Sequence, residues 1–285
     1  MSMTVSGRTI LVTGATDGIG LQSAVELARL GARLHLVGRN PAKLEAAAAR
    51  VAAAGTGAQP VTYVADLSSQ ASIRQLAGEV TANAPILDVL LNNAGGIFPR
   101  RVLSADGIEM TFALNHLGYF LLTSLLLPCL RGAPEARIVN VASAAHAGAV
   151  LDFEDLQLER SYSAWKAYGR SKLANIYFTR ELARRVQGEG MTANCLHPGF
   201  VASNFAGEAK GLFGWAIGAA KRVAAISVAN GAKTPVFLCA APDVEGITGK
   251  YFDRCRSVAS SKVSHDDVAA SRLWSVSERL TGIAP

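Results

Sequence analysis

Short apolar runs rich in β-branched residues alternate with helical patterns along most of this 285-residue sequence. Helical patterns between the runs include Pro41 to Ala54 and Ala164 to Val186. Consecutive parallel strands need a crossover connection, so this alternation predicts an α/β fold: a doubly wound parallel sheet with helices on both faces. No internal repeat or low-complexity linker appears, and we expect residues 1–285 to form a single domain. The predicted strands are Thr9–Thr13, Arg33–Val37, Val61–Ala65, Val89–Asn92, Arg137–Val141 and Thr192–Leu196.

Composition narrows the possible partners. Half of the residues are hydrophobic and 18% are charged, which allows a large core and argues against disorder. The net charge of +6 suits an anionic ligand, although a solvated basic surface with no role explains it equally well. Lysines and arginines are scattered and form no basic stripe, so we do not expect a nucleic-acid partner.

The cysteines and the apolar segments bear on metal binding and location. The spacing of the four cysteines gives neither a metal-site motif nor a dense disulfide framework, which fits a reducing cytoplasm. The first residues lack a secretory signal pattern. The most apolar stretch, Leu114 to Leu130, is interrupted by Asn115, His116 and Pro128, and we expect no transmembrane segment. The sequence therefore predicts a cytoplasmic protein without a metal site.

A glycine-rich segment, Thr13 to Gly20, follows the first predicted strand and leads into a helix. Glycines allow close approach of the backbone, and free N–H groups at a helix N-terminus bind phosphate, as a dinucleotide pyrophosphate requires. The spacing G-x-x-x-G-x-G departs from the general G-x-G-x-x-G pattern, and an ordinary glycine-containing turn is the alternative. The position after the first strand favours a cofactor turn, with predicted contacts at Gly14, Thr16, Asp17, Gly18, Ile19 and Gly20.

The end of the second predicted strand discriminates between two cofactors. NAD enzymes place an acidic residue there to bind the ribose 2′-hydroxyl, whereas this chain has Gly38-Arg39-Asn40. A guanidinium binds a 2′-phosphate in bidentate fashion, while a carboxylate repels it. The sequence therefore favours NADP(H) over NAD(H), with a solvent-facing Arg39 as the alternative.

A tyrosine and a lysine lie four residues apart at Tyr168 and Lys172, within a predicted helix that places them on one face. A neighbouring cation stabilises a phenolate, so Lys172 is predicted to lower the pKa of Tyr168. The tyrosine would then serve as a general acid or base. Such pairs are also common as plain surface neighbours, so the motif needs support from other residues.

Three polar features supply that support at the edge of the predicted sheet. Ser143 follows a buried strand at its carboxyl end, where open α/β sheets bind ligands, and its hydroxyl suits a developing oxyanion. Asn92 to Gly95 ends another strand at the same edge. Asn115 lies in an otherwise apolar helix, and is either a structural partner of the backbone or part of a water-linked proton path.

With these residues in place, the sequence resembles the short-chain dehydrogenase/reductase family. The motifs carrying the resemblance are Thr13 to Gly20, Asp66, Asn92 to Gly95, Asn115, Ser143, Tyr168 with Lys172, and Pro198-Gly199. The resemblance implies a Rossmann-type fold with about seven parallel strands. It also implies a catalytic tetrad of Asn115, Ser143, Tyr168 and Lys172. By the same resemblance Lys172 binds the nicotinamide ribose, Asp66 contacts the adenine, and Pro198 and Gly199 line the nicotinamide. Further implied cofactor contacts are Leu67, Asn93, Ala94, Gly95, Tyr168 and Val201.

Within that family, the chain looks most like the retinol-dehydrogenase-like branch. The interval from Ser143 to Tyr168 is long, at 25 positions, and contains an insert at Phe153 to Leu156. The resemblance implies pairing of the helices after Asn115 and around Tyr168 between subunits, as a homodimer or homotetramer. The further motifs of this branch are Ser171 to Ile176, Leu196 to Gly199, Gly249 to Cys255 and Arg272 to Trp274.

The expected reaction is hydride transfer between NADP(H) and a lipophilic aldehyde or ketone, or the corresponding alcohol. An apolar segment at about 201–231 is predicted to form a substrate lid. An oligomer contact and a membrane-surface patch are alternatives for this segment. Two other functions stay open at this point: a C=C reductase on the same scaffold, and a catalytically silent NADP(H)-binding regulator.

Overall fold

The computed structural model describes residues 3, 5–55, 59–199 and 227–283, and its framework is a single sheet. The strand order is β3-β2-β1-β4-β5-β6-β7-β8. The first seven strands run parallel, and β8 pairs antiparallel with β7 as a short edge hairpin. The strands are β1 (Thr9–Thr13), β2 (Arg33–Gly38), β3 (Val61–Val64), β4 (Val89–Asn92), β5 (Ala136–Val141), β6 (Met191–His197), β7 (Tyr251–Asp253) and β8 (Arg256–Val258).

The predicted doubly wound Rossmann-type sheet is confirmed. All six predicted strands are present, within one residue at either end. The edge strand β8 adds one antiparallel strand to the seven parallel strands that the family resemblance implies. The strand order reverses between β1 and β4, which is the switch point where sheets of this kind bind their ligands.

Helices cover both faces of this sheet. Neighbouring strand residues point to opposite faces, so Ile138 belongs to one apolar core and Val139 to the other. Helices α3, α4 and α5 pack on one face, and α1, α2 and α6 pack on the other. The helices are α1 (Gly18–Arg29), α2 (Pro41–Ala54), α3 (Gln70–Asn83), α4 (Met110–Arg131), α5 (Ala164–Arg185), α6 (Val228–Ala240) and α7 (Asp267–Thr281).

Helix α4 is long and apolar enough to cross a membrane by length and composition. In the structure, 78% of its most apolar 18-residue window is buried inside the fold. A core helix of a water-soluble protein passes the same test, so α4 is weak support for a membrane span. Its sequence interruptions, Asn115 and His116, are buried and hydrogen-bonded within the protein.

The C-terminal helix α7 packs against α4 and α5. The indole of Trp274 lies against the rings of Phe120 and Phe178, and the Arg185 guanidinium stacks over it at 4.3 Å. Helix α7 therefore covers part of the surface of α4 and α5, the helices that the family resemblance predicts to pair between subunits. The oligomeric state and the single-domain assignment stay predictions, and residues 201–226 of the predicted lid lie outside the described residues.

Candidate active site

The carboxyl ends of β1 and β4 meet at the switch point and are locked together by hydrogen bonds. The Thr13 hydroxyl accepts from the backbone N–H groups of Asn93 and Ala94, at 2.9 and 3.1 Å. The Asn93 side chain donates to the carbonyls of Thr13 and Gly14, at 2.9 and 3.3 Å. The glycine turn and the segment Asn93 to Gly95 therefore form one rigid unit.

The glycines of this turn are required by space and by backbone conformation. Gly14 and Gly18 have positive φ angles, +64° and +53°. A Cβ atom added at Gly20 would lie 2.2 Å from the Gly14 carbonyl oxygen and 2.4 Å from the Asn93 amide nitrogen. Such a backbone cradle at a helix N-terminus fits a dinucleotide pyrophosphate.

We expect Gly20→Ala to weaken NADPH binding by at least about tenfold and to lower the free energy of unfolding by about 1–3 kcal/mol, because overpacking forces the turn apart. Isothermal titration and chemical unfolding measure the two effects. Gly78→Ala is the matched control, since nothing lies within 4 Å of its added Cβ. That substitution, at an exposed position of helix α3, should stabilise the protein by about 0.5–1 kcal/mol and leave NADPH binding unchanged. Unaltered binding by Gly20→Ala would contradict the assignment of this turn.

Other predicted cofactor contacts lie along the same edge of the sheet. The Asp17 carboxylate accepts from the Gly18 N–H at 2.7 Å and caps α1. The Thr16 methyl packs on Gly38, which places the turn beside exposed Arg39. Asp66 holds Ser68 through two hydrogen bonds at the end of β3.

Three more of the predicted cofactor positions lie in buried or constrained places. Leu67 is buried, and its carbonyl oxygen contacts the backbone of α4 so closely that only glycine fits at Gly118. Pro198 and Gly199 follow β6 at the same sheet edge, and Gly199 has a φ of +85°. Val201 lies outside the described residues.

Asn115 lies in a π-helical turn, Ala113–Leu117, inside α4. Its side-chain oxygen accepts from the Gly96 N–H at 2.8 Å, and its amide donates to the Gly96 carbonyl and the Ser171 hydroxyl, at 2.9 and 3.0 Å. Of the two roles considered for Asn115, the structure shows the backbone partner. A π turn displaces a residue from the regular helical ladder, and such turns are frequent at functional sites.

Lys172 is buried at the centre of the candidate site. Its Nζ donates to the Val141 carbonyl at 2.8 Å and lies 5.6 Å from the centroid of the Tyr168 ring. A Cβ added at Gly95 would lie 3.1 Å from the Asn115 oxygen and 3.7 Å from Lys172 Nζ, so these residues are neighbours. Burial lowers the pKa of Lys172 to about 7.

Tyr168 is also buried, and its environment corrects one prediction. Burial raises the pKa of Tyr168 to about 12, and a hydrogen bond with Ser143 lowers it in part. The predicted lowering of the Tyr168 pKa is therefore wrong for the protein alone, because the cost of removing a phenolate from water exceeds its stabilisation by the Ser143 hydrogen bond. Ser143, Tyr168, Lys172 and Asn115 nevertheless come together as predicted. Their catalytic roles stay proposals.

Two histidines, His146 and His197, hold the backbone next to the site. The His146 ring contacts the Ser143 carbonyl at 2.6 Å, and the His197 ring accepts from the Ala144 N–H at 3.2 Å, so both histidines fix the segment that carries Ser143.

A buried amide network was not predicted. Asn92 donates to Asn140 at 2.9 Å, and Asn140 donates to Thr179 on α5 at 3.0 Å. The network thereby links the ends of β4 and β5 to the helix that carries Lys172. An asparagine near the end of each apolar strand is the sequence signal that could have revealed it, because a buried amide needs partners.

The model of the family described as short chain dehydrogenase matches residues 8–211. The chain belongs to that family. Mouse retinol dehydrogenase 14 is 41% identical over 97% of this chain and 86% of its own length. Human retinol dehydrogenase 13 is 39% identical over 98% of this chain and 86% of its own length. These relatives place the chain in the retinol-dehydrogenase-like branch of the short-chain dehydrogenases.

Solved structures agree with this membership. The crystal structure of an uncharacterised protein from Mycobacterium paratuberculosis superposes with a TM-score of 0.79, at 33% identity, over 98% of this chain and 95% of that chain. The complex of Pseudomonas aeruginosa RhlG with NADP superposes with a TM-score of 0.70, at 27% identity, over 87% of this chain and 95% of that chain. The chain is thus a hydride-transferring oxidoreductase of the short-chain dehydrogenase family.

Proposed function

We propose that this enzyme transfers a hydride between NADP(H) and a lipophilic aldehyde or ketone, or the corresponding alcohol, with Tyr168 as general acid or base. The observation that carries the proposal is the meeting of Ser143, Tyr168 and Lys172 beside the glycine turn. When bound, the nicotinamide supplies or accepts the hydride. Reduction of a conjugated aldehyde with deuterium-labelled NADPH tests the reaction, because the position of the label shows which carbon receives the hydride.

The residues provide what carbonyl reduction needs on the oxygen side. The Ser143 and Tyr168 side chains are hydrogen-bonded to each other, so one carbonyl oxygen can accept from both hydroxyls. As the carbonyl carbon gains a hydride, its oxygen becomes an alkoxide and takes the Tyr168 proton, which yields the alcohol. With a pKa of about 12, Tyr168 is protonated at neutral pH, and an alkoxide is a stronger base than a phenolate.

Lys172 and Asn115 prepare this geometry. Lys172 presents an amine beside the phenol, where it is able to resupply the proton, and its pKa near 7 makes both of its protonation states accessible. Asn115 clamps Gly96 and Ser171, so it fixes the loop after β4 against α5. We therefore assign Asn115 a supporting role, which is to hold this loop in place.

The preference for NADP(H) is proposed from Arg39. Arg39 is exposed and directly follows β2, next to Gly38 and its Thr16 contact, in the place where an NAD enzyme carries a carboxylate. The bound NADP in the RhlG structure supports the choice.

We expect Arg39→Ala to raise the KM for NADPH by about 10- to 100-fold, the value of a charge-assisted hydrogen bond to phosphate, and to leave the KM for NADH unchanged. Steady-state assays with both cofactors measure the effect. Arg256→Ala, which removes an exposed arginine at the opposite edge of the sheet, is the matched control. Equal effects of Arg39→Ala on both cofactors would remove Arg39 from 2′-phosphate recognition.

A lipophilic substrate is proposed from the surroundings of Tyr168. Ile97 and Ala164 form an apolar cluster with Tyr168, and Ala145 and Tyr162 pack against it. The curated relatives are named for retinol, a lipophilic alcohol. Fold analogy alone does not fix a substrate, so a panel of aldehydes of increasing chain length, assayed with NADPH, tests this part.

A further inference from the structure

One face of helix α5 carries a stripe of three residues, namely the proposed acid–base pair Tyr168 and Lys172 and, further toward the start of the helix, Trp165. Trp165, Tyr168 and Lys172 are spaced three and four residues apart on α5 and therefore share one face. Their exposure rises steadily along the stripe, from 2% at Lys172 and 8% at Tyr168 to 52% at Trp165. The stripe thus runs from the buried interior of the site to the solvent.

The two ends of this stripe have different neighbours. Lys172 lies near Gly95 and the end of β5, on the side of the glycine turn that is proposed to bind the cofactor. Trp165 lies toward the start of α5, about 4.5 Å along the axis from Tyr168 at 1.5 Å per residue. A carbonyl compound whose oxygen meets Tyr168 has the cofactor on the Lys172 side, so the rest of the molecule extends toward Trp165.

The indole is well placed to contact such a molecule. Its ring meets the Tyr168 ring edge to face, at 6.4 Å between centroids and an angle of 76°. Ile97 and Ala164 are buried and pack with Tyr168, the inner member of this pair. A half-exposed tryptophan next to a reactive phenol offers a flat apolar surface, and aromatic pairs gain energy beyond the area they bury.

We propose that Trp165 is a specificity-determining residue, whose indole forms the outer wall of the substrate site and favours carbonyl compounds with an aromatic ring next to the carbonyl group. This inference rests on the proposed function, in which Tyr168 binds the carbonyl oxygen. Trp165 contacts the part of the substrate that lies away from the reacting carbonyl group, so it acts on substrate affinity and not on the chemical step.

The test compares Trp165→Ala and Trp165→Phe with the native enzyme on benzaldehyde, cyclohexanecarbaldehyde and propanal. We expect Trp165→Ala to lower kcat/KM for benzaldehyde about tenfold through KM, which corresponds to about 1.4 kcal/mol. Cyclohexanecarbaldehyde, which is apolar but not flat, should lose less, and propanal should stay within about twofold. Trp165→Phe should restore most of the benzaldehyde activity. Val268→Ala, at an 81% exposed position on α7, is the control and should change nothing.

A binding readout separates this inference from the proposed function. Titration of 4-fluorobenzyl alcohol into the NADPH complex, followed by fluorine NMR, should show about tenfold weaker binding to Trp165→Ala, with unchanged affinity for NADPH. A native enzyme that reduces none of the three aldehydes overturns the proposed function, while the titration still decides the role of Trp165. Equal losses on propanal and benzaldehyde, unchanged binding of the fluoroalcohol, or weaker NADPH binding would each overturn the role of Trp165 as a substrate wall.

Discussion

Tyr168→Phe is expected to lower kcat by about 10²–10⁴-fold, the range that a positioned general acid contributes. The phenylalanine keeps the ring and its packing against Trp165 and Ile97, but it has no proton to give to the alkoxide. NADPH affinity should fall by less than about tenfold, because at most one hydrogen bond of about 0.5–1.5 kcal/mol is lost among many cofactor contacts. Stopped-flow reduction under single-turnover conditions, with fluorescence titration of NADPH, measures both quantities.

A second tyrosine, Tyr162, lies just before the start of α5 and supplies the control for that experiment. The Tyr162 hydroxyl donates to the Phe98 carbonyl at 2.8 Å and stays outside the proton transfer. Tyr162→Phe should therefore leave kcat within about threefold and cost about 1 kcal/mol of stability. If Tyr168→Phe turned over as fast as Tyr162→Phe, another group would have to deliver the proton.

Lys172→Met is expected to lower kcat/KM by about 10²-fold or more, since it removes the amine beside the phenol and the hydrogen bond to Val141. Lys166→Met is the matched control, because Lys166 is exposed on the same helix. Lys166→Met should keep native activity. A Lys172→Met enzyme with native kcat/KM would show that the amine has no part in proton transfer or cofactor binding.

The same two variants, Lys172→Met and Lys166→Met, test how the free energy of unfolding depends on pH. Folding lowers the pKa of Lys172 from 10.5 to about 7, so between these pH values the unfolded chain binds more protons than the folded one. The free energy of unfolding therefore rises with pH in this window, by at most about 1.4 kcal/mol per pH unit from one group. Below pH 7 the full cost of burying the charged amine is present. Urea unfolding at pH 7, 8 and 9 should show this slope in the native protein and in Lys166→Met, and a smaller slope in Lys172→Met.

The sequence predicted the strands and the residues of the site because both follow local rules. A βαβ alternation dictates a parallel sheet, and carboxyl ends of parallel strands meet at one edge, which brings Ser143 and Asn93 together. The spacing of Tyr168 and Lys172 fixes their common helical face. These relations depend on neighbours in the chain and do not need knowledge of the tertiary packing.

The features that could not be predicted from the sequence depend on burial in the folded protein. The shift in the pKa of Tyr168 has the opposite direction to the prediction, because the desolvation of a phenolate depends on how the site packs and not on the i,i+4 spacing. The π turn at Asn115 and the amide chain from Asn92 to Thr179 arise from contacts between distant segments. The 52% exposure of Trp165 likewise depends on the packing of segments that are distant in the chain.

The most direct measurement of the proposed reaction uses NADPH that carries deuterium at the transferring C4 position. Mass spectrometry and NMR of the product from a conjugated aldehyde show which carbon receives the label. We expect an alcohol with deuterium on the former carbonyl carbon from the native enzyme, and almost none from Tyr168→Phe. Deuterium on the β-carbon of a saturated aldehyde, or no labelled product despite tight NADPH binding, would contradict carbonyl reduction by this enzyme.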